Sequence, residues 1–158
     1  MDFRKTTCLS LNEKQQVLEL WNGEYPRDLK YENFEQFEDY LKNLRDQNHI
    51  LVLDENQDIT GWYVDFIREN ERWFAVILKS EFQGKRIGTT LIQEVKKYRT
   101  ELNGWVISTN DYVKCNDEPY RSPLGFYEKN GFLIHKDKML KTAKITAIKI
   151  SWKYNTQS

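Results

Sequence analysis

Between the apolar segment Trp73 to Leu78 and an amphipathic stretch from Ile87 to Arg99 lies the run Gln83-Gly84-Lys85-Arg86-Ile87-Gly88-Thr89. A strand, a glycine-bearing turn and a helix start in that order aim several backbone N–H groups at one point, where the positive end of the helix dipole also favours an anion. The chemistry this predicts is the holding of a diphosphate by main-chain amides. Two nucleotide fingerprints can be tested against it by counting. A Walker loop has four residues between its first glycine and a Gly-Lys pair followed by serine or threonine, whereas three residues separate Gly84 from Gly88 and Thr89 follows directly. The dinucleotide pattern needs three glycines and an acid about 20 residues on, and this segment has two glycines. Neither fits.

The elements that must position this turn can be read in order. Ser10-Leu11-Asn12-Glu13 has capping-box spacing, and Val17, Leu18 and Trp21 follow on one stripe, which predicts a helix to about Trp21. Phe34, Phe37, Tyr40, Leu41 and Leu44 recur at helical spacing and predict a second. Ile50 to Leu53 and Ile59 to Ile67, joined by the polar turn Asp54 to Asp58, read as antiparallel strands. After the turn Arg68 to Arg72, the run Trp73 to Leu78 reads as a strand covered on both faces. In the next helix Ile87, Leu91, Ile92, Val95 and Tyr98 form the buried stripe, Gln93, Glu94, Lys96 and Lys97 face water, and Asn103-Gly104 is the expected stop. Trp105 to Ile107 is a short strand. Ser122 caps a short helix with Pro123 at its first position and Asn130-Gly131 at its end. Strands near Phe132 to His135 and Ile145 to Trp152, with Phe3 to Thr7 as the first, complete a mixed α/β sheet without internal repeats.

With 158 residues, one domain spanning 1–158 is expected. Lysine plus arginine and aspartate plus glutamate both total 24, so no global field draws the chain to nucleic acid or an anionic membrane, and any anion site must be local. Two cysteines, Cys8 and Cys115, are too few for a disulfide framework or a cysteine zinc cage and suit a reducing interior. No stretch approaches a membrane span and the start lacks a signal-peptide core, so a cytoplasmic protein is expected.

The loop Gln83-Gly84-Lys85-Arg86-Ile87-Gly88 resembles the acetyl-CoA loop of the GNAT N-acetyltransferase superfamily, whose pattern is glutamine or arginine, two residues, glycine, one residue, then glycine or alanine. About forty residues on, Phe126-Tyr127-Glu128-Lys129-Asn130-Gly131-Phe132 is similar to that family's fourth helix running into its sixth strand. The two motifs stand in the right order with the right elements between them. The resemblance implies a mostly antiparallel central sheet of about seven strands flanked by about four helices. It implies acetyl-CoA as acyl donor, a primary amine as acceptor, and direct attack of that amine on the thioester. It places the cofactor on Gln83, Gly84, Lys85, Arg86, Ile87, Gly88 and Thr89, and its pantetheine arm on strand groups from Val76, Ile77 and Leu78. An N–H near Leu78 would face the oxyanion. Tyr127 matches the family's tyrosine acid, protonated at neutral pH and able to protonate the leaving thiolate.

The departures from the family pattern bear on single residues. Arg86 stands where the loop has its first glycine. Positive φ there would cost about 1 to 2 kcal/mol, so ordinary helical or bridge geometry is expected. Lys85 and Arg86 either add charge to the amides or are solvated cations at a loop tip. Tyr120 occupies a position where the family often has asparagine, and Pro123 replaces a common alanine. Some relatives carry a glutamate base early in the fourth strand, but Arg72, Phe74 and Ala75 occupy that stretch here, and Glu71 reads as a turn residue. Asp111 and Asp65 could reach an amine through water or be solvated carboxylates. His49 and His135 at strand edges read as structural, and no metal-ligand spacing is present.

The segments Asn22 to Tyr31 and Asn110 to Arg121 are the expected acceptor walls. Asp28, Glu32, Asp111, Asp117 and Glu118 could draw a cationic amine, and Trp21, Tyr25, Tyr112 and Tyr120 could offer cation-π surface, or all could be wetted loop residues. Two other functions stay open. One is a CoA-binding module without turnover. The other is nucleic-acid binding through Lys96, Lys97 and Arg99, which net neutrality opposes. Trp152 and Tyr154 could lie at a homodimer interface.

Overall fold

Local rules start both long helices of the first half. The Ser10 hydroxyl accepts the Glu13 N–H at 3.2 Å while the Glu13 carboxylate accepts the Ser10 N–H at 2.8 Å, the reciprocal capping box that opens α1 (Leu11–Glu24). Asn33 caps α2 (Phe34–Lys42) by accepting the Gln36 N–H. The computed structural model describes residues 1–155. Its strands are β1 (Asp2–Thr6), β2 (Arg45–Leu53), β3 (Ile59–Arg68), β4 (Glu71–Leu78), β5 (Glu101–Val106), β6 (Leu133–Lys141) and β7 (Thr146–Lys153), and its later helices are α3 (Ile87–Lys96) and α4 (Leu124–Lys129). They form one mixed α/β sheet in the order β1-β2-β3-β4-β5-β7-β6, antiparallel everywhere except between β4 and β5. Among the described residues no helix is long and apolar enough to cross a membrane.

Side-chain alternation divides the core in two. Trp73, Ala75 and Ile77 of β4 pack with Trp21, Phe37 and Trp62 beneath α1 and α2. Phe74 and Val76 pack on the opposite face with Leu91, Ile92 and Val95 of α3 and Tyr127 of α4. Burial on both faces is why this strand reads as an unbroken apolar run.

Several boundaries differ from the sequence expectation. Asn103 and Gly104 lie inside β5 instead of stopping α3. The Asn103 amide donates to the Arg72 carbonyl at 3.1 Å and to the Glu101 carboxylate at 3.0 Å, and the Phe74 ring sits 3.0 Å from where a Cβ on Gly104 would be. Tertiary contacts thus override an Asn-Gly turn signal. Glu71 begins β4 opposite Arg68, not a turn. β2 starts at Arg45, and β6 runs to Lys141 as an exposed, polar edge strand that hydrophobic patterning does not detect. Tyr98, expected in the buried stripe of α3, is exposed with the Lys5 ammonium 4.4 Å over its ring, because the helix ends at Lys96. Lys96 in turn folds over Phe132 and Trp152 and donates to the Asn130 carbonyl. Pro123 is the N-cap of α4, one residue before the position expected.

His49 is structural, wholly buried in β2. The indole N–H of Trp62 donates to its Nδ1 at 3.0 Å, so its proton lies on Nε2, which donates to the Gln47 side-chain oxygen at 2.8 Å. Burial pushes its pKa from 6.5 down to about 4. As pH falls from about 6.5 towards 4, the unfolded chain binds a proton that the folded one refuses. Stability should therefore fall across that window by at most about 3 kcal/mol. Urea unfolding at steps from pH 7 to 4 should show this slope in the parent and a flatter one in His49→Gln; equal slopes would remove the histidine as the cause.

Candidate active site

The site begins where the sheet comes apart. β4 and β5 share a single register pair, Trp73 with Asn103, and then diverge. The Lys79 N–H donates to the Thr60 carbonyl at 2.8 Å, and the β3–β4 register pairs Gly61 with Leu78. By alternation Trp73, Ala75 and Ile77 direct their main-chain groups to β3, and Phe74, Val76 and Leu78 direct theirs towards β5. Val76 and Leu78 therefore present backbone groups to the gap, and the Leu78 carbonyl is taken by the Gln83 side-chain N–H at 2.8 Å. Ile77 lies between them with its backbone turned to Trp62 and its side chain buried.

Beyond β4 the chain makes a 3-10 turn at Ser80–Phe82 and enters the glycine-bearing loop. Gly84 has φ 76° and Arg86 has φ 64°, ψ 10°. The expected ordinary geometry at Arg86 is therefore overturned: it is left-handed, at a cost of about 1 to 2 kcal/mol. The reason lies in the amides. Left-handed residues alternating with right-handed ones turn successive N–H groups to one side, forming a nest. No backbone or side-chain acceptor among the described residues takes the N–H groups of residues 84 to 89, and the first α3 hydrogen bond runs from Thr90 N–H to the Arg86 carbonyl at 3.0 Å. Lys85 and Arg86 are exposed cations without a carboxylate partner among the described residues. Gly88 lies against α4, with the Phe126 ring 3.0 Å from the place of an added Cβ.

Tyr127 packs from α4 onto Phe74 of β4. Its ring is buried, edge-on to Phe74 at 5.7 Å and to Phe132 at 5.3 Å, and its hydroxyl has no hydrogen-bond partner among the described residues. Burial, with a contribution from Tyr120, holds the phenol well above its ordinary pKa, so it is protonated at neutral pH. Tyr25 at the end of α1 is raised by burial and then by Tyr120 and Tyr127. Three phenols from three segments thus neighbour one another, a grouping that no fixed sequence spacing announces.

The two expected walls are joined by hydrogen bonds and charge. The Arg27 N–H donates to the Val113 carbonyl at 2.8 Å, and its guanidinium donates to the Lys114 carbonyl at 3.1 Å and pairs with Asp117. The Lys114 ammonium, nearly buried, donates to the Ser80 hydroxyl at 2.9 Å and pairs with Glu24 at 3.4 Å. Trp21 donates its indole N–H to the Leu29 carbonyl and packs among Tyr25, Tyr31 and Tyr40, so it is core and not an open cation-π face. The Tyr112 hydroxyl accepts the Thr146 N–H and ties the second wall to β7. Asp28, Glu32 and Asp111 lie exposed.

Asp65 is not a solvated base. It is fully buried and accepts from Arg99 at 2.8 and 2.9 Å, Arg72 at 3.1 Å and the Tyr63 hydroxyl, fastening β3 to the start of β4 and the end of α3. The Arg99 interaction also removes that residue from the exposed basic face expected of α3. His135 bonds the Ser151 hydroxyl at 2.7 Å. No group of metal-ligating side chains occurs among the described residues.

A family model described as an acetyltransferase (GNAT) domain matches residues 46–133, a span that includes both the loop and α4. No sequence among curated proteins matches the chain significantly. Solved structures share its fold. A provisionally named phosphinothricin N-acetyltransferase superposes with TM-score 0.72 at 13% identity, covering 98% of this chain and 99% of that one. Spermidine N-acetyltransferase from Vibrio cholerae in complex with CoA and spermine superposes with TM-score 0.67 at 16% identity, covering 96% of this chain and 95% of that one.

If the nest holds its ligand through backbone amides, Arg86→Gly should keep coenzyme A affinity within about threefold and leave stability unchanged or up to about 1 kcal/mol higher. Arg86→Pro, which fixes φ near −65°, should abolish binding by calorimetry. Gly88→Ala should displace Phe126 and destabilise by about 1 to 3 kcal/mol, read by urea unfolding.

Proposed function

The chain belongs to the acetyltransferase (GNAT) family, and on that premise we propose that it transfers an acetyl group from acetyl-CoA to a primary amine by direct attack within a ternary complex. What supports this reading is the conjunction of unpaired amides at residues 84 to 89 with a protonated, unpartnered phenol packed against Phe74 of β4, the strand that parts from β5. The nest and the positive end of α3 suit the diphosphate, with Lys85 and Arg86 adding charge. The donor supplies an activated thioester carbonyl. Val76 and Leu78 offer main-chain groups to the pantetheine arm and an N–H to the developing oxyanion, where loss of one such donor typically costs about 100-fold or more in rate.

The acceptor nitrogen attacks the carbonyl carbon, the C–N bond forms, the C–S bond breaks, and the thiolate takes the Tyr127 proton. Burial keeps the phenol protonated at neutral pH but also weakens it as an acid, so the transfer relies on the same burial raising the basicity of a thiolate released beside it. Among the described residues no carboxylate is held in place as a general base: Asp65 is committed to two arginines, Asp111 lies exposed, and Arg72 donates to Asp65 and Asp46. The acceptor amine is accordingly taken as arriving neutral, with its proton passing to water.

The lack of a placed base also favours a second reading, a CoA-binding module without turnover. Screening amine acceptors with acetyl-CoA for free-thiol release separates the two. An enzyme should lose on the order of 100-fold in kcat on Tyr127→Phe with coenzyme A affinity retained. Coenzyme A binding without thiol release for any acceptor would leave the module.

A further inference from the structure

At the mouth of the gap lies a cavity of about 550 Å³, bounded by the end of β4, the end of α1 and the 110–121 segment. Its charged lining is Glu24, Glu118, Lys114 and Arg121. Formal neutrality conceals an asymmetry in how these charges are used. Glu24 is spent: its carboxylate pairs with Lys114 at 3.4 Å and accepts from the Ser80 hydroxyl at 2.6 Å and the Ser80 N–H at 3.3 Å. Glu118 faces the same ammonium at 3.8 Å, an ion-pair distance beyond hydrogen-bond reach. Asp117, also expected to draw a cation, is paired with Arg27. One ammonium thus serves both acids of the cavity. Arg121 has no acceptor among the described residues. The lining is formally neutral, with Glu118 only loosely held, and its cation without an acceptor is Arg121, whose guanidinium meets a carboxylate through two parallel hydrogen bonds.

A polyamine acceptor needs the reverse, free carboxylates towards which its several cations can turn. We propose that the acceptor carries a carboxylate as well as its amine, as an amino acid does, and that Arg121 anchors that carboxylate at the mouth while the amine is directed towards the gap. The buried Lys114 contributes indirectly as a positioning residue, because it joins Glu24, Ser80 and the 110–121 segment and so sets the cavity wall from which Arg121 extends. The proposal rests on the N-acetyltransferase reading. A phosphate of the donor is the other source of anionic oxygen that Arg121 could meet.

Thiol-release kinetics on amino acids and their decarboxylated amines test this. The wild-type protein should favour the amino acid of each pair by at least about tenfold in kcat/KM. Arg121→Gln should raise KM for the amino acid about tenfold or more, leave its kcat and the KM of acetyl-CoA within about twofold, and leave the decarboxylated amine unaffected. Arg121→Lys should recover part of the loss. The proposal is overturned if a polyamine is the better acceptor, or if Arg121→Gln raises the acetyl-CoA KM and affects both acceptors equally, which would put phosphate on Arg121. Should no acceptor turn over, amino acids titrated into the protein–CoA complex should still bind, and more weakly in Arg121→Gln; no binding overturns the proposal. Failure to bind coenzyme A at all would instead sink the acetyltransferase reading.

Discussion

The parting of β4 from β5 after Trp73 and Asn103 is the constraint on which the site depends. A sheet closed along its length would use every main-chain group of β4 for pairing and leave nothing for a ligand. Here Asn103 closes the apex by donating to the Arg72 carbonyl, and the Phe74 ring stands where any side chain on residue 104 would have to go. Beyond that point β4 and β5 share no register pair, while each keeps its other neighbour, β3 on one side and β7 on the other. The cleft is thus built into the sheet and needs no inserted loop. It is reinforced at its closed end by Asp65, whose carboxylate binds Arg72 of β4 and Arg99 beyond α3. Removing one member of such a buried set leaves unpaired charge and costs several kcal/mol, so these residues belong to the scaffold.

Strain at the open end has a comparable logic. Arg86 holds a left-handed backbone that glycine would adopt freely, and the amides from Gly84 to Thr89 have no protein acceptor among the described residues. Such a conformation persists because its surroundings over-determine it: Gln83 is tied back to Leu78, and Gly88 is held against Phe126. The same contact seats the start of α3 against α4, the helix that carries Tyr127.

Charge at the mouth is organised differently from charge at the apex. Arg27, Lys114, Glu24 and Asp117 join α1 to the 110–121 segment through partly wetted pairs, which individually contribute little to stability but fix which groups face the cavity. Pairing decides which charges of the cavity stay available, because Glu24 is held by Lys114 and Ser80 while Arg121 has no acceptor among the described residues. A count of acids and bases along the two walls cannot reveal this.

Periodicity and capping chemistry in the sequence were enough to place the four helices, the strands with apolar faces and the loop at residues 83 to 89, because those signals are local and repeat within one element. The α/β class followed from their order, and Tyr127 from the resemblance of residues 126 to 132 to a family motif. What the sequence could not decide depends on groups far apart in the chain. Asn103-Gly104 carries a turn signal that only Phe74 and Arg72 overrule. Asp65 reads as an ordinary carboxylate until Arg72 and Arg99 close on it. Arg86 is left-handed at the turn into α3, which its side chain does not encode. The start of β6 was legible near Phe132 to His135, but its exposed, polar continuation to Lys141 was not. Local order came from side-chain chemistry within a few residues; the gap, the neighbouring phenols and the charges left free at the mouth came from which distant residues the folded sheet brought together.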